Sequence, residues 1–342
     1  MNKIQIVNWL LTRRCNLHCD YCRIVKNYKD KPLIYPNMNH YIKNEMTTAT
    51  IISGLEKIKK HNPEAFNILY GGEPLLRPDL YQIVNYCNDN NIHYTIISNN
   101  TEKVQPLMET LFKKVSYIKG FTASIDPIIY MEKDSDIFKK SFLGFQKLQE
   151  YSSFIKDVVA EITVTNENLE YLYSLVKALT DKGINSDITF VDISKSPFYD
   201  FSDVTDDSIL VRKDSKVRDI INTIIGEKLN VHMRDTLLPK IYETLPSELD
   251  CGLEKDFHNM TIDADGSIRL CLRIRGVATP ESFFISNILD EDGNLHENIK
   301  ETINYDKSKF CLKCQWSCPI MSQMTWEGTD SSDNIIHTDI RK

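Results

Sequence analysis

The sequence has no apolar run approaching the roughly 18 residues of a membrane span, so no span is expected. Its start, Met1-Asn2-Lys3, leads into an apolar stretch broken by Gln5 and Asn8. That stretch has neither a signal-peptide core nor a small-residue cleavage site. A cytoplasmic location is expected, where cysteines stay reduced and metal ligation is favoured over disulfides. Excess positive charge is also lacking. The net charge of −7 argues against sequence-independent nucleic-acid binding, which needs a basic face. There is no low-complexity segment and no internal repeat, and no arginine occurs between Arg77 and Arg212. The 342 residues, 42% hydrophobic and 26% charged, are ordinary globular material. They suffice for one large α/β domain and a smaller one.

What is present is a clustered set of nine cysteines. Cys15, Cys19 and Cys22 stand in a C-x3-C-x2-C array, Cys87 stands alone, and Cys251, Cys271, Cys311, Cys314 and Cys318 lie toward the carboxyl end. Ligand groups near both ends suggest two metal sites. Three thiolates on one short loop can hold three corners of an iron–sulfur cubane and leave the fourth iron open to a substrate. Two other readings stand beside this one. His18 would complete a Cys3His zinc site, and a disulfide plus one thiol fits the same residues. Cys87, among Ile83, Val84 and Tyr86 on a helix pattern, reads as a buried, inert thiol.

From Ile4 to about Asp192 strand and helix patterns alternate, the mark of parallel α/β architecture. Strands are expected at 4–11, 66–70, 93–98, 117–125, 158–165 and 187–193. Helices are expected at 47–61, from Pro78-Asp79 to Asn90, and at 104–113, 137–151, 169–182 and 215–230. In such folds the chemistry sits at the carboxyl ends of the strands. Gly71-Gly72-Glu73-Pro74 follows the second strand, with two glycines that would let the backbone approach a ligand and one carboxylate. Ser98-Asn99 ends the third strand, Ser124-Ile125-Asp126 the fourth, and Thr165 the fifth. Each of these also suits an ordinary turn or cap. The connection 194–214 is long, aromatic and acidic. It suits either an amine-bearing substrate or a solvated linker.

The cysteine triplet after a first strand, with Tyr21 before Cys22 and Gly71–Pro74 one β/α unit later, resembles the radical S-adenosylmethionine (SAM) enzymes. The resemblance implies a partial (β/α)6 barrel. It also implies a [4Fe–4S] cluster on Cys15, Cys19 and Cys22 whose open iron is chelated by SAM. SAM would be cleaved reductively to a 5′-deoxyadenosyl radical that takes a hydrogen atom from the substrate. Gly71, Gly72, Glu73 and Pro74 would receive the SAM ammonium group. Ser98, Asn99, Ser124, Asp126 and Thr165 would hold its ribose and carboxylate. The chain departs from many relatives at Pro127, where they carry glycine, and in the missing arginine; Lys133 is the candidate substitute.

Toward the carboxyl end, Cys251-x14-Gly266-x4-Cys271, then Cys311-x2-Cys314 and Cys318, resembles the SPASM and Twitch extensions that hold auxiliary clusters. Five cysteines are too few for two clusters and enough for one. Cys251, Cys271, Cys311 and Cys314 are the expected ligands. Cys318 is an alternative ligand, a hydrogen-atom donor or a structural thiol, and structural zinc is the other reading of the set. A hairpin is expected from Met260–Asp263 and Ser267–Ile274 about Ala264-Asp265-Gly266. Arg269, Arg273 and Arg275 would share the face of Cys271 and offset cluster charge.

The expected organisation is a barrel over 1–230 and a Twitch/SPASM-like domain over 231–342. The expected activity is hydrogen abstraction from a peptide or protein, with a flavodoxin or ferredoxin as reductant. Oxidation or epimerisation of a small molecule such as an amino sugar is the alternative. A non-catalytic zinc protein is the alternative of another class.

Overall fold

The computed structural model describes residues 6–17, 19, 45–125, 148, 150–151, 153–190, 211, 215–232, 235, 238–239, 259–269 and 284–288. In chain order the elements are β1 (Ile6–Thr12), α1 (Thr48–His61), β2 (Phe66–Gly71), α2 (Leu80–Asp89), β3 (His93–Ser98), α3 (Gln105–Phe112) and β4 (Ile118–Ile125). There follow β5 (Ile155–Val164), α4 (Leu172–Thr180), β6 (Asn185–Phe190), α5 (Ser215–Gly226), β7 (Asn259–Ile262), β8 (Ser267–Arg269) and β9 (Phe284–Asn287). The chain forms two compact units. One draws on Met1–Ser98, Pro106–Lys119 and Gly252–Lys309, the other on Asn99–Gln105, Gly120–Cys251 and Phe310–Lys342.

In the first unit the strand order is β3-β2-β1-β7-β8-β9. β1 pairs in parallel with β2 on one side and β7 on the other, and β2 pairs in parallel with β3. A parallel strand with neighbours on both sides is covered on both faces and reads as an apolar run. In β1 every residue after Ile6 is buried. Asn8, Trp9 and Asn67 find their partners inside the sheet. Asn8 Nδ2 donates to Met260 O at 3.3 Å. Trp9 Nε1 donates to Asn67 Oδ1 at 2.9 Å, and Asn67 Nδ2 donates to the Ala65 and His93 carbonyls, each at 3.1 Å.

α1 starts as its sequence implies. The Thr47 hydroxyl accepts from the Thr50 N–H at 3.2 Å, and Lys59, Lys60 and His61 sit in the last turn, where the helix dipole favours cations. Its buried face is Ile51, Gly54, Leu55 and Ile58. Gly54 lies where a Cβ would come within 2.6 Å of the Trp9 ring and 2.8 Å of Ile288. α2 buries Leu80, Ile83, Val84 and Cys87. Burial pushes the Cys87 thiol up to about 12, with Lys119 acting weakly against it, so it is the inert core thiol expected.

β7 and β8 form the start of the expected hairpin, with Thr261 opposite Arg269 and Ile262 opposite Ile268, and Gly266 at φ 86° in the turn; residues 270–274 of the expected second strand lie outside the described residues. The sequence did not foretell that β7 would extend the sheet beside β1, from Ile6 opposite Asn259 to Trp9 opposite Ile262. The pairing buries Met260 and Ile262 against the strand that leads to the cysteine loop.

In the second unit the strand order is β6-β5-β4, and β5 and β6 run parallel from Val159 opposite Asn185 to Val164 opposite Phe190. α4 buries Leu172, Leu175, Val176 and Leu179. The expected helix at 169–182 is shorter, because Leu169–Tyr171 is a 3-10 turn and Gly183, at φ 70°, ends the last turn. The expected helix 137–151 and connection 194–214 lie outside the described residues, apart from Leu148, Glu150, Tyr151 and Val211. After α5, Val231 bridges Ser186 and the His232 Nδ1 lies 3.1 Å from Asp187 Oδ1.

Two predictions arise. Gly54→Ala forces a rigid, buried Trp9 to move and should lower stability by about 1–3 kcal/mol in urea denaturation. The second concerns pH. Glu161, in register with Asp187, is pushed from its ordinary 4.5 up to about 7, by burial first and by the Asp187 charge second. Burial pulls His232 down, but the hydrogen bond and charge of Asp187, together with Asp157, outweigh it and raise His232 above its ordinary 6.5. Both groups hold their protons more tightly folded than unfolded, so stability should fall as pH rises. For Glu161 the fall spans 4.5 to about 7, and for His232 it begins near 6.5. Glu161→Gln should flatten the first part in urea titrations at several pH values. An unchanged slope would discard the assignment.

Candidate active site

The end of β1 is held from three sides within the first unit. The Thr12 hydroxyl donates to Glu45 Oε1 at 2.6 Å and accepts from the Arg14 N–H at 3.1 Å. The Arg13 N–H donates to the same Glu45 oxygen at 3.2 Å, and Arg14 Nη2 donates to Glu45 Oε2 at 2.9 Å. Arg77, buried, donates through Nη1 to the Leu11 carbonyl at 2.8 Å and to the Met46 carbonyl at 3.1 Å. Its charge is balanced by Asp79, which also accepts from Thr48. Burial works to raise Asp79, but the bonds from Arg77 and Thr48 and the Arg77 charge outweigh it and hold the carboxyl below its ordinary range. Arg13 and Asp263 form a buried ion pair, with Arg13 Nε donating to Asp263 Oδ1 at 3.1 Å and Nη2 to Oδ2.

Cys15 and Cys19 follow on this anchored end as half-buried thiols outside any disulfide. The Leu17 N–H points to Cys15 Sγ at 3.4 Å. Gly71 ends β2 opposite Thr12. The Gly72 N–H donates to the Thr12 carbonyl and the Glu73 N–H to the Arg14 carbonyl, each at 2.8 Å. A Cβ on Gly71 would lie 2.3 Å from Thr12 O, and one on Gly72 2.3 Å from Arg14 O. The close approach expected of these glycines is therefore to the cysteine-bearing chain itself. The Glu73 side chain is fully buried. Its Oε1 accepts from the Leu75 N–H at 3.0 Å and its Oε2 from the Ser98 hydroxyl at 3.2 Å. Pro74 is buried and opens a 3-10 turn over Pro74–Leu76. Gly71, Gly72, Glu73, Pro74 and Ser98 thus gather at the carboxyl ends of β2 and β3, against the backbone of Thr12 and Arg14 that leads into Cys15.

In the second unit Asn99 Oδ1 accepts from the Thr101 N–H at 3.2 Å and from its hydroxyl at 2.9 Å, the local turn that its residue type favours. Ser124 is half-buried near the end of β4. Thr165 is buried just after β5, where its N–H donates to Asn168 Oδ1 at 2.8 Å. Tyr21, Cys22, Asp126, Lys133, Cys251, Cys271, Cys311, Cys314 and Cys318 lie outside the described residues. Sequence reasoning missed Thr12, Arg13, Glu45, Arg77 and Asp263. Thr12-Arg13-Arg14 immediately before Cys15 was the available signal, but nothing local names its partners.

The donor set fits an iron–sulfur cluster: soft thiolates beside a strand end, one sulfur already meeting a backbone N–H, and a buried carboxylate close by. The model of the Radical SAM superfamily matches residues 9–193, more than half of the chain. The chain belongs to the radical SAM superfamily. It is 33% identical over 186 residues to an uncharacterized protein of Methanocaldococcus jannaschii, covering 52% of this chain and 58% of that one. It is 29% identical over 185 residues to the pre-heme d1 synthase of Dinoroseobacter shibae, covering 53% of this chain and 41% of that one. The match therefore spans about half the length of these relatives. In fold it is similar to SuiB of Streptococcus suis bound to the precursor peptide SuiA, at TM-score 0.56 and 14% identity, over 98% of this chain and 77% of SuiB. The shared fold is a mixed α/β fold with a parallel sheet.

The glycine contact is directly testable. Gly72→Ala should cost about 1–3 kcal/mol in urea unfolding, because its Cβ meets backbone that cannot swing away. Gly226→Ala, where a Cβ would meet nothing within 4 Å, should be neutral or slightly stabilising. Equal effects at the two positions would refute the close-approach account.

Proposed function

We propose that this protein is a radical SAM enzyme acting on a peptide or protein, built as a partial barrel with a cluster-bearing extension from residue 231. The observation that carries the reading is the backbone bonding of Gly72 and Glu73 to Thr12 and Arg14, immediately before Cys15. It joins the two motifs of the family at one strand end. Cys15, Cys19 and Cys22 hold the [4Fe–4S] cluster in this reading. When bound, the cluster and SAM supply one-electron reductive cleavage and a hydrogen-abstracting 5′-deoxyadenosyl radical. Glu73 contributes a buried carboxylate, kept in place by Leu75 and Ser98, toward the SAM ammonium group. Gly71 and Pro74 shape that turn. Tyr21, Asn99, Ser124, Asp126 and Thr165 are assigned to SAM by the family pattern. Cys251, Cys271, Cys311 and Cys314, or Cys318 in place of one of them, hold an auxiliary cluster. A flavodoxin- or ferredoxin-type protein is the electron donor.

The peptide reading is supported by the fold shared with SuiB, whose bound partner is a precursor peptide. A small-molecule substrate is the second reading, favoured by the higher identity to a pre-heme d1 synthase. Anaerobic reconstitution followed by iron and sulfide analysis tests the class. About eight irons per chain, and 5′-deoxyadenosine on adding dithionite and SAM, are expected from two cubanes. Stoichiometric zinc, little iron and no cleavage would overturn it. In the same assay Glu73→Gln should retain its iron and weaken SAM binding on the order of tenfold, ~1.4 kcal/mol. Wild-type affinity in that variant would remove Glu73 from the SAM site.

A further inference from the structure

The cysteine loop begins two residues after a cation that water does not reach. The side chains of Arg13 and Asp263 are 2% and 1% exposed. The pair is bidentate, a geometry that fixes direction as well as charge. Asp263 is itself rigid: its Oδ1 accepts from the Ala264 N–H at 2.7 Å. Its N–H donates to the Ser267 carbonyl, and its carbonyl accepts from Gly266, each at 2.8 Å. The same turn reaches the other anchor of the loop, because the Ala264 carbonyl accepts from the Met46 N–H at 2.7 Å, one residue after Glu45. On this stretch Arg13 and Arg14 face Asp263 and Glu45, so the loop's anchor is electrically balanced.

We propose that Asp263 is a positioning residue of the active site: from the β7–β8 turn it orients and neutralises Arg13, and through Arg13 it sets the placement and the potential of the loop that starts at Cys15. The proposal rests on Cys15 being a cluster ligand, as read above. Removing the carboxylate leaves a buried guanidinium beside the loop. That favours the more negative, reduced state of whatever Cys15 ligates and loosens the chain that carries Cys15.

The test uses the full chain reconstituted anaerobically, read by EPR-monitored redox titration of the SAM-responsive signal. Asp263→Asn should keep its iron and raise the midpoint potential, on the order of tenfold in the reduction equilibrium or about 59 mV for one electron. Arg13→Gln/Asp263→Asn, which buries no charge, should return the potential toward wild type. It should still bind SAM severalfold more weakly, because a neutral amide pair holds the loop less firmly. If Asp263→Asn fails to fold, the double variant decides alone, through SAM affinity and EPR line shape. Iron-loaded variants with wild-type potential, line shape and SAM affinity would overturn the proposal. A wild-type chain that takes up no iron would instead remove Cys15 as a ligand, so the two failures are distinct.

Discussion

Two backbone hydrogen bonds, from Gly72 to Thr12 and from Glu73 to Arg14, are the contact on which the site depends. They require the end of β2 to lie against the first residues of the cysteine loop with no Cβ between them. Side chains there would hold the two strand ends apart, and Glu73 would no longer bond the chain that leads into Cys15. Once the backbones meet, Glu73 has few places to go. Its two oxygens are taken up by the 3-10 turn after it and by Ser98 at the end of β3. The carboxyl ends of three parallel strands are thereby drawn to one spot. Their register sets this, and individual side-chain preferences do not.

Around that contact the electrostatics are arranged in pairs. Arg77 meets Asp79, Arg14 meets Glu45 and Arg13 meets Asp263. Arg14 is the exposed member of the set, and its pair contributes little to stability. The other two arginines are buried, and buried pairs act more through the arrangement they specify than through net stabilisation. Each ties a separate piece of chain to the end of β1. Arg77 bonds the carbonyls of Leu11 and Met46, and Asp263 brings in the β7–β8 turn. A loop whose thiolates are proposed to share one metal group would gain from an anchor of this kind, because ligand geometry tolerates little drift.

Much of the scaffold was legible. The apolar run of β1, the Thr47 cap and periodic face of α1, and the Asp-Gly turn between β7 and β8 each follow from rules that act over a few residues. β3 occupies His93–Ser98, the span expected of it. The expected helix over 169–182 was too long at its start, where a 3-10 turn intervenes beside the Asn168 side chain. The glycines before Glu73 announced a close approach, which the sequence assigned to a ligand and the fold gives to the backbone of Thr12 and Arg14. A sequence records that a side chain is missing, and only the fold records which atoms take the space.

The sequence by itself determined the cysteine spacing, the family membership and the alternation of strand and helix, because each rests on local spacing and period. The tertiary structure alone decided that β7 lies beside β1, that Glu45 reaches back to Thr12, and that Asp263 meets Arg13 across 250 residues of chain. In the sequence these carboxylates look like any solvated surface charge. Ion pairing acts through distance in space, and that distance exists only after the strands have chosen their neighbours.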